Sequence, residues 1–299
     1  MSMNWPVFRT RAITALFFVG IMLLGLLWNE WSFFVLFSVI HAGCWIEYHR
    51  LNQKIFPSYA SLHILFKTGL LLGGWGFCFW MYQTAIEIEF FYKTGIILLI
   101  IGVITIIVGG FFSVKAGARS LIRAFIGLLY LSLSFGLLMH LRSGGIWINA
   151  DSETTNPLAR SLSLMAGEWI PFILIAIIWI NDTMAYIVGS FIGKTPLSPI
   201  SPKKTWEGTI GGFILSVGVG YLSGYYIFNP ESGKHFAAIA LIASVSGTFG
   251  DLLESKLKRT AGVKDSGQIM PGHGGFLDRF DSLLLATPFV WIYLWLISL

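Results

Sequence analysis

TGIILLIIGVITIIVGGFFS, residues Thr94 to Ser113, runs for twenty positions without a charged side chain. A helix crossing the hydrocarbon core of a bilayer needs roughly 20 mainly apolar residues. A surface helix of a soluble domain keeps a polar face. This stretch has none, so it reads as a transmembrane span. Outward from it the same reading recurs at 12–28, 32–48, 61–82, 121–140, 169–190, 209–228, 236–253 and 282–298. The first two are separated only by Asn29 to Trp31, which predicts a tight helical hairpin. The third carries Lys67 and several glycines. Composition agrees with lipid as the main solvent. Only 12% of the 299 residues are charged and 16% are aromatic, whereas soluble domains carry about 25% charged residues. The expected fold is all-α: a polytopic integral membrane protein of about nine spans. No internal repeat is visible. Arg9 and Arg11 precede the first apolar run, but no small-residue cleavage site follows Trp28, so that run reads as a retained span. Cys44 and Cys78 lie in apolar runs and form no disulfide or metal-ligand pattern.

Loop charges orient the chain. With the N-terminus in the cytoplasm, 16 of the 20 Lys and Arg residues fall on or near that side, the exceptions being Lys93, Arg142, Arg160 and Lys234. This is the positive-inside asymmetry, and an odd number of spans puts the C-terminus outside. The acidic loop with Glu87 and Glu89 and the long loop 141–168, with Asp151 and Glu153, then face outward. Residues 1–168 read as about five N-terminal spans with this external connector. Residues 169–299 read as a catalytic region of about four spans, with cytoplasmic loops 191–208 and 254–281.

Three polar segments interrupt the apolar background, all toward the cytoplasmic side. The first places Asn181 and Asp182 inside a span. An intramembrane carboxylate is costly and faces a polar cavity or a partner; the plainer reading is a helix-packing clasp to a buried cation. The second runs from Gly189 to Gly208. Gly189 to Thr195 imitates a P-loop, but three residues stand between its glycines where four are needed, and it follows an apolar helix rather than a strand. Ser201-Pro-Lys-Lys-Thr205 is more telling, because proline stiffens the loop while Ser201, Lys203, Lys204 and Thr205 offer donors to a polyanion. Its plainer reading is an anchor for anionic headgroups.

The third and densest segment runs from Gly250 to Asp281. Asp251, Ser255 and Lys258 share one helical face, as do Asp278 and Asp281. Asp251, Asp278 and Asp281 together offer three carboxylates, hard oxygen ligands of the kind that suit Mg²⁺ beside substrate phosphates. Lys256, Lys258, Arg259, Lys264 and Arg279 supply positive charge. His273 stands beside Gly274 and Gly275, where the backbone can approach a ligand closely and expose N–H donors. A solvated juxtamembrane loop needs no such density. The set fits phosphoryl or nucleotidyl transfer, chemistry that rests on positioning, metal and cations.

These residues carry a family resemblance. Ser255-x-Leu-Lys-Arg-x4-Lys-Asp-x-Gly-x2-Met-Pro-x-His-Gly-Gly-Phe-x-Asp-Arg-Phe-Asp281 resembles the hallmark of phosphatidate cytidylyltransferases (CDP-diacylglycerol synthases). The family pattern has Leu, Ile or Phe where this chain has Met270, a conservative departure. The resemblance extends to Asn181–Tyr186 and Ser201–Gly208; up to about residue 168 it is one of hydropathy only. It implies a polytopic protein of the bacterial inner membrane, often a homodimer, whose active site faces the cytoplasm. The implied reaction is CTP plus phosphatidate giving CDP-diacylglycerol and pyrophosphate, with Mg²⁺. It also implies a two-metal site on carboxylates matching Asp251, Asp278 and Asp281, with Lys258 nearby; the identity of a second metal stays open. In the mechanism that follows, Lys258, Arg259, Lys264 and Arg279 would neutralise phosphates, Ser201, Lys203 and Lys204 would close over nucleotide or lipid headgroup, and Asn181 and Asp182 would line the polar cavity beneath.

Two other readings compete. A CTP-dependent kinase of a membrane lipid alcohol would release CDP rather than pyrophosphate. A transporter would place its polar groups near the midplane of two repeats, whereas here they cluster on one side. The Asp-x2-Asp pair does not match the Asp-x3-Asp pattern of CDP-alcohol phosphotransferases. No nucleic-acid-binding module is recognisable.

Overall fold

The computed structural model describes residues 5–82, 88–144, 157–228, 230, 232–268 and 274–298. Among these there is no strand beyond one isolated bridge, Pro196 to Thr205. Ten α-helices follow in order: α1 Trp5–Leu27, α2 Glu30–Ile55, α3 Ile64–Met81, α4 Ile88–Phe112, α5 Gly117–Gly127, α6 Leu133–Arg142, α7 Pro157–Ile192, α8 Trp206–Ser223, α9 Ser232–Thr260 and α10 Leu277–Ser298. A π-helical turn, Leu128–Ser132, joins α5 to α6, so that Val114–Arg142 forms one span-length element. Eight elements among the described residues are long and apolar enough to cross a membrane, and α1 adds a shorter apolar stretch, Ile13–Leu27. The chain is an α-helical integral membrane protein.

It divides into two compact units. One comprises Met1–Tyr82, Glu87–Gly136 and Leu257–Phe280; the other comprises Gln83–Ile86, Leu137–Lys256 and Asp281–Leu299. Helices α6, α9 and α10 each contribute residues to both.

In the first unit α1 and α2 form the expected hairpin, with a tighter turn than the sequence suggests. Asn29 caps α2, which begins at Glu30: its Oδ1 accepts from Ser32 N at 2.8 Å, and its own N–H donates to Ser32 Oγ at 3.1 Å. Two orphan donors at the helix start are thereby satisfied. Helices α3 and α4 pack along a glycine seam. A Cβ on Gly102 would lie 2.5 Å from the Gly73 nitrogen, and one on Gly95 would lie 2.7 Å from that of Trp80. Such close approach is how helices associate in lipid, where no hydrophobic drive separates protein from solvent. The opposite side of α4 exposes Ile97, Ile100, Ile104, Ile107 and Phe111, an apolar surface suited to lipid. Phe33, Phe37, Trp45, Tyr82 and Phe91 are fully buried. Among them the Trp45 indole donates to Ser132 Oγ at 3.0 Å, and His41 Nε2 lies 2.9 Å from the same hydroxyl.

In the second unit α7 begins at Pro157, where loop 141–168 was expected to continue to residue 168. Proline at a first helical position has no N–H to leave unpaired. Asp151 and Glu153 of that loop lie outside the described residues, as does Glu87. Helices α7 and α8 are close-packed: a Cβ on Gly212 would lie 2.8 Å from the Asn181 carbonyl oxygen. Ser216 and Ser244 hydroxyls join α8 to α9 at 2.7 Å. Gly250 lets α9 meet α10, since a Cβ there would lie 2.5 Å from the Asp281 carbonyl oxygen. The expected polar loops are shorter than 191–208 and 254–281, because α8 starts at Trp206, α9 runs to Thr260 and α10 starts at Leu277.

Candidate active site

The approach of α9 and α10 at Gly250 assembles a carboxylate group in the second unit. Asp251, Glu254 and Asp281 each offer an oxygen within 4.8 Å of the others. Glu254 is fully buried and Asp281 nearly so. Asp281 Oδ1 accepts from the Ser282 N–H at 2.7 Å, which fixes its orientation. Lys204 Nζ pairs with Asp251. Burial pushes the Lys204 ammonium toward deprotonation, but the charges of Asp251, Asp182 and Asp281 outweigh it, and its pKa stands above the ordinary lysine value. Lys204 is therefore charged at neutral pH.

Lys204 reaches this position because its loop folds back on the start of α8. Leu197 N donates to the Lys204 carbonyl at 2.7 Å, and Lys204 N to that of Ser201 at 3.0 Å. Glu207 ties down the far side: its carboxylate accepts from Lys194 N at 3.1 Å and from the Thr195 hydroxyl at 2.9 Å. Thr205 Oγ1 accepts from Gly208 N at 3.1 Å and caps α8. Lys203 is exposed and Ser201 half-buried. Asn181 is buried on α7, and its amide donates at 3.4 Å to Asp182, which is exposed.

The described residues fit a divalent cation. Lys204 supplies one positive charge against three clustered carboxylates, two of them buried, and buried like charges are strongly disfavoured without a counter-ion. An all-oxygen donor set suits Mg²⁺.

A second cluster forms in the first unit, around Asp278. Lys258 Nζ donates to Asp278 Oδ1 at 2.5 Å. Oδ2 accepts from Gly275 N at 2.7 Å and Ser266 N at 2.8 Å. Beside it stands a carboxylate that the sequence reading did not single out. Glu47 of α2 is buried and accepts from Phe276 N and Leu277 N, both at 2.9 Å, at the very start of α10. The Ser266 hydroxyl lies between the two acids, 2.7 Å from Glu47 Oε2 and 2.9 Å from Asp278 Oδ2, and its single proton serves one of them at a time. Gly274 adopts φ +83°, and a Cβ there would lie 2.5 Å from Asp278 Oδ2. At Gly275 a Cβ would lie 2.3 Å from the Glu47 carboxylate. These glycines are needed because two carboxylates press against the loop backbone.

The remaining expected site residues are placed as follows. Ser255 is buried on α9. Arg259 donates to the Val263 carbonyl at 3.1 Å, closing the end of that helix. Lys264 and Arg279 are exposed. His273 lies outside the described residues. The structure thus brings Asp251 and Asp281 together, adds Glu254 to them, and engages Asp278 with Lys258, Ser266 and Gly275.

A helical membrane protein with clustered carboxylates and with lysines paired to aspartates is the class that fold and site define. The pattern of the Cytidylyltransferase family matches residues 9–297, and the chain belongs to that family. A phosphatidate cytidylyltransferase of Synechocystis sp. is 40% identical over 155 residues, 52% of this chain and 50% of that protein. One from Staphylococcus aureus is 46% identical over 131 residues, 43% of this chain and 50% of that protein. One from Brucella abortus is 38% identical over 175 residues, 56% of this chain and 64% of that protein. The matched stretches span about half to two thirds of the length of these relatives.

Proposed function

We propose that this protein transfers CMP from CTP to phosphatidate, giving CDP-diacylglycerol and pyrophosphate, at the cytoplasmic face of a bacterial inner membrane. The observation that carries the reading is the Asp251–Glu254–Asp281 group with Lys204 beside it, on helices that bear the family signature. The names of the relatives supply the substrates. An apolar cavity of about 520 Å³ supports a lipid substrate, because Phe276 and Phe280 of the signature segment line it together with residues of α1 and α2.

In the reaction, an oxygen of the phosphatidate phosphate bonds to the α-phosphorus of CTP while the bond from that phosphorus to the β-phosphate bridging oxygen breaks. Pyrophosphate leaves with the electron pair. The attacking group is already an anion, so no general base is required. Asp251, Glu254 and Asp281 would hold Mg²⁺, which supplies Lewis-acid neutralisation of phosphate oxygens. Lys204 holds Asp251 in place and adds positive charge beside the phosphates. Asp278 orients Lys258 and, through Ser266 and Gly275, the loop that carries the signature. A second metal and a homodimer are further expectations of the family resemblance.

The test is product analysis. Purified protein with CTP labelled in the α-phosphate, phosphatidate and Mg²⁺ should yield labelled CDP-diacylglycerol and unlabelled pyrophosphate. Release of labelled CDP with a newly phosphorylated lipid would instead identify a lipid kinase. Asp281→Asn should lower turnover by about 10²-fold or more, the scale at which loss of one transition-state electrostatic group is felt. Near-normal turnover in that variant would overturn the metal assignment.

A further inference from the structure

Helix α2 carries Glu47, Arg50 and Lys54 at i, i+3 and i+7, on one face. Glu47 binds the signature loop to that face through Ser266, Phe276 and Leu277. One turn further on, Arg50 and Lys54 line a cavity of about 660 Å³ whose other wall is Val263–Gln268 of the same loop. That wall contributes Lys264, so three cations stand against Asp265 among the described lining residues, with Gln53, Ser266 and Gln268 as neutral polar groups. The volume lies within the roughly 300–1,000 Å³ of small-molecule sites. Buried Ser266 forms part of this wall and is held by two carboxylates, so the loop side of the cavity is braced.

We propose that this cavity is a phosphate-binding subsite in which Arg50, Lys54 and Lys264 take a phosphate-bearing group of a substrate. The proposal rests on the cytidylyltransferase reading for the identity of the ligands. Either substrate supplies the chemistry, the triphosphate of the nucleotide or the phosphate of the lipid headgroup. Arg50 offers a planar fork of donors that matches a phosphate bidentately, and the two lysines offer point charges. The competing account is an anchor, in which cations near the α2 C-terminus complement its dipole and anionic lipid. An anchor asks only that the cations meet headgroups. It gives no reason for Arg50 and Lys54 to share a walled cavity with Lys264, nor for Glu47 to hold the opposite wall against the same face.

The experiment uses the full chain in detergent micelles. Binding of inorganic pyrophosphate and of dioctanoyl phosphatidate is measured directly, alongside KM for CTP and for phosphatidate. The comparison is wild type against Arg50→Ala/Lys54→Ala, with Lys115→Ala/Arg119→Ala as a control that removes equal charge elsewhere in the same unit. Loss of two charge-assisted contacts should weaken one ligand by about tenfold or more, with kcat little changed, and Arg50→Lys should lose less than Arg50→Ala. If the nucleotide is the source, pyrophosphate affinity falls and KM for CTP rises. If the lipid is the source, both effects appear on phosphatidate. Wild-type protein that binds neither probe, a variant with unchanged affinities and KM values, or a control with the same loss would each overturn the subsite. Should the variant lose binding while wild type shows no CTP-dependent turnover, the subsite stands and the cytidylyltransferase reading falls.

Discussion

Glu47 sits near the end of a membrane span, is 3% exposed, and has hydrogen-bond donors aimed at both of its oxygens. Two of those donors are orphan N–H groups around the first turn of α10, which no intrahelical carbonyl can satisfy. Glu47→Ala would leave both without an acceptor and open a hole beneath the loop. A loss on the order of 2–5 kcal/mol is expected, since each buried unmade hydrogen bond costs about 1–3 kcal/mol. Glu47→Gln keeps one acceptor oxygen and should lose about half as much. Thermal unfolding in detergent reads the order wild type, Gln, Ala; an Ala variant as stable as wild type would remove Glu47 from its role. This residue was not legible in the sequence, because its partners lie 219 to 230 positions away and no local pattern marks it. Asp251 and Asp281 were legible because a carboxylate at the edge of an apolar run stands out chemically. Glu254 lies three residues from Asp251 on the same helical face, beside Ser255 and Lys258, and only its burial against Asp281 sets it apart.

Among the elements, α3 and α4 show why hydropathy finds a span and misses its packing. The glycines of α3 make that segment one of the weaker spans by composition. In the structure they are the reason it packs so closely. Gly69 and Gly76 lie seven apart on α3, as do Gly95, Gly102 and Gly109 on α4, and an added Cβ at any of these five would meet backbone of the other helix. Gly102→Leu should force the pair apart and cost about 1–3 kcal/mol, the usual penalty of overpacking. Gly110→Leu is the control, because a Cβ there meets only the Phe66 ring, at 4.0 Å. A lowered midpoint of thermal unfolding for the first variant and not the second is the expected result; equal midpoints would mean that the seam bears no load. The span expected at 169–190 agrees with the apolar stretch Trp169–Ile192, while the helix that carries it starts earlier, at Pro157. Residues 157–168 include Arg160, Ser161, Ser163 and Glu168, which lower hydropathy without disfavouring a helix. Hydropathy marks where lipid begins, whereas Pro157 and backbone hydrogen bonding mark where the helix begins. The Ser201–Thr205 loop was found for its lysines, but its shape depends on Glu207 and on the pairing of Leu197 with Lys204, neither of which the motif reveals.

At the scale of the whole molecule, the cation asymmetry makes a claim about orientation that one helix can test. Helix α4 has 25 residues, about 37 Å at 1.5 Å per residue, enough to cross the hydrocarbon core of about 30 Å. Lys93 lies near its start and Lys115 just beyond its end, and both are exposed. Positive-inside bias places Lys115, with Arg119 and Arg123 after it, on the cytoplasmic side, and leaves Lys93 beside acidic Glu89 on the other. The two native cysteines are buried, so single cysteines introduced at these positions report with little background. Lys93→Cys should react with a membrane-impermeant thiol reagent in intact spheroplasts, and Lys115→Cys only in inside-out vesicles. Reaction of both from one side would mean that α4 does not cross, and reversal of the two would invert the chain. Inversion would contradict the positive-inside reading of the loop charges. A single labelling pair therefore tests the orientation of α4 and, with it, the side on which Lys115, Arg119 and Arg123 stand.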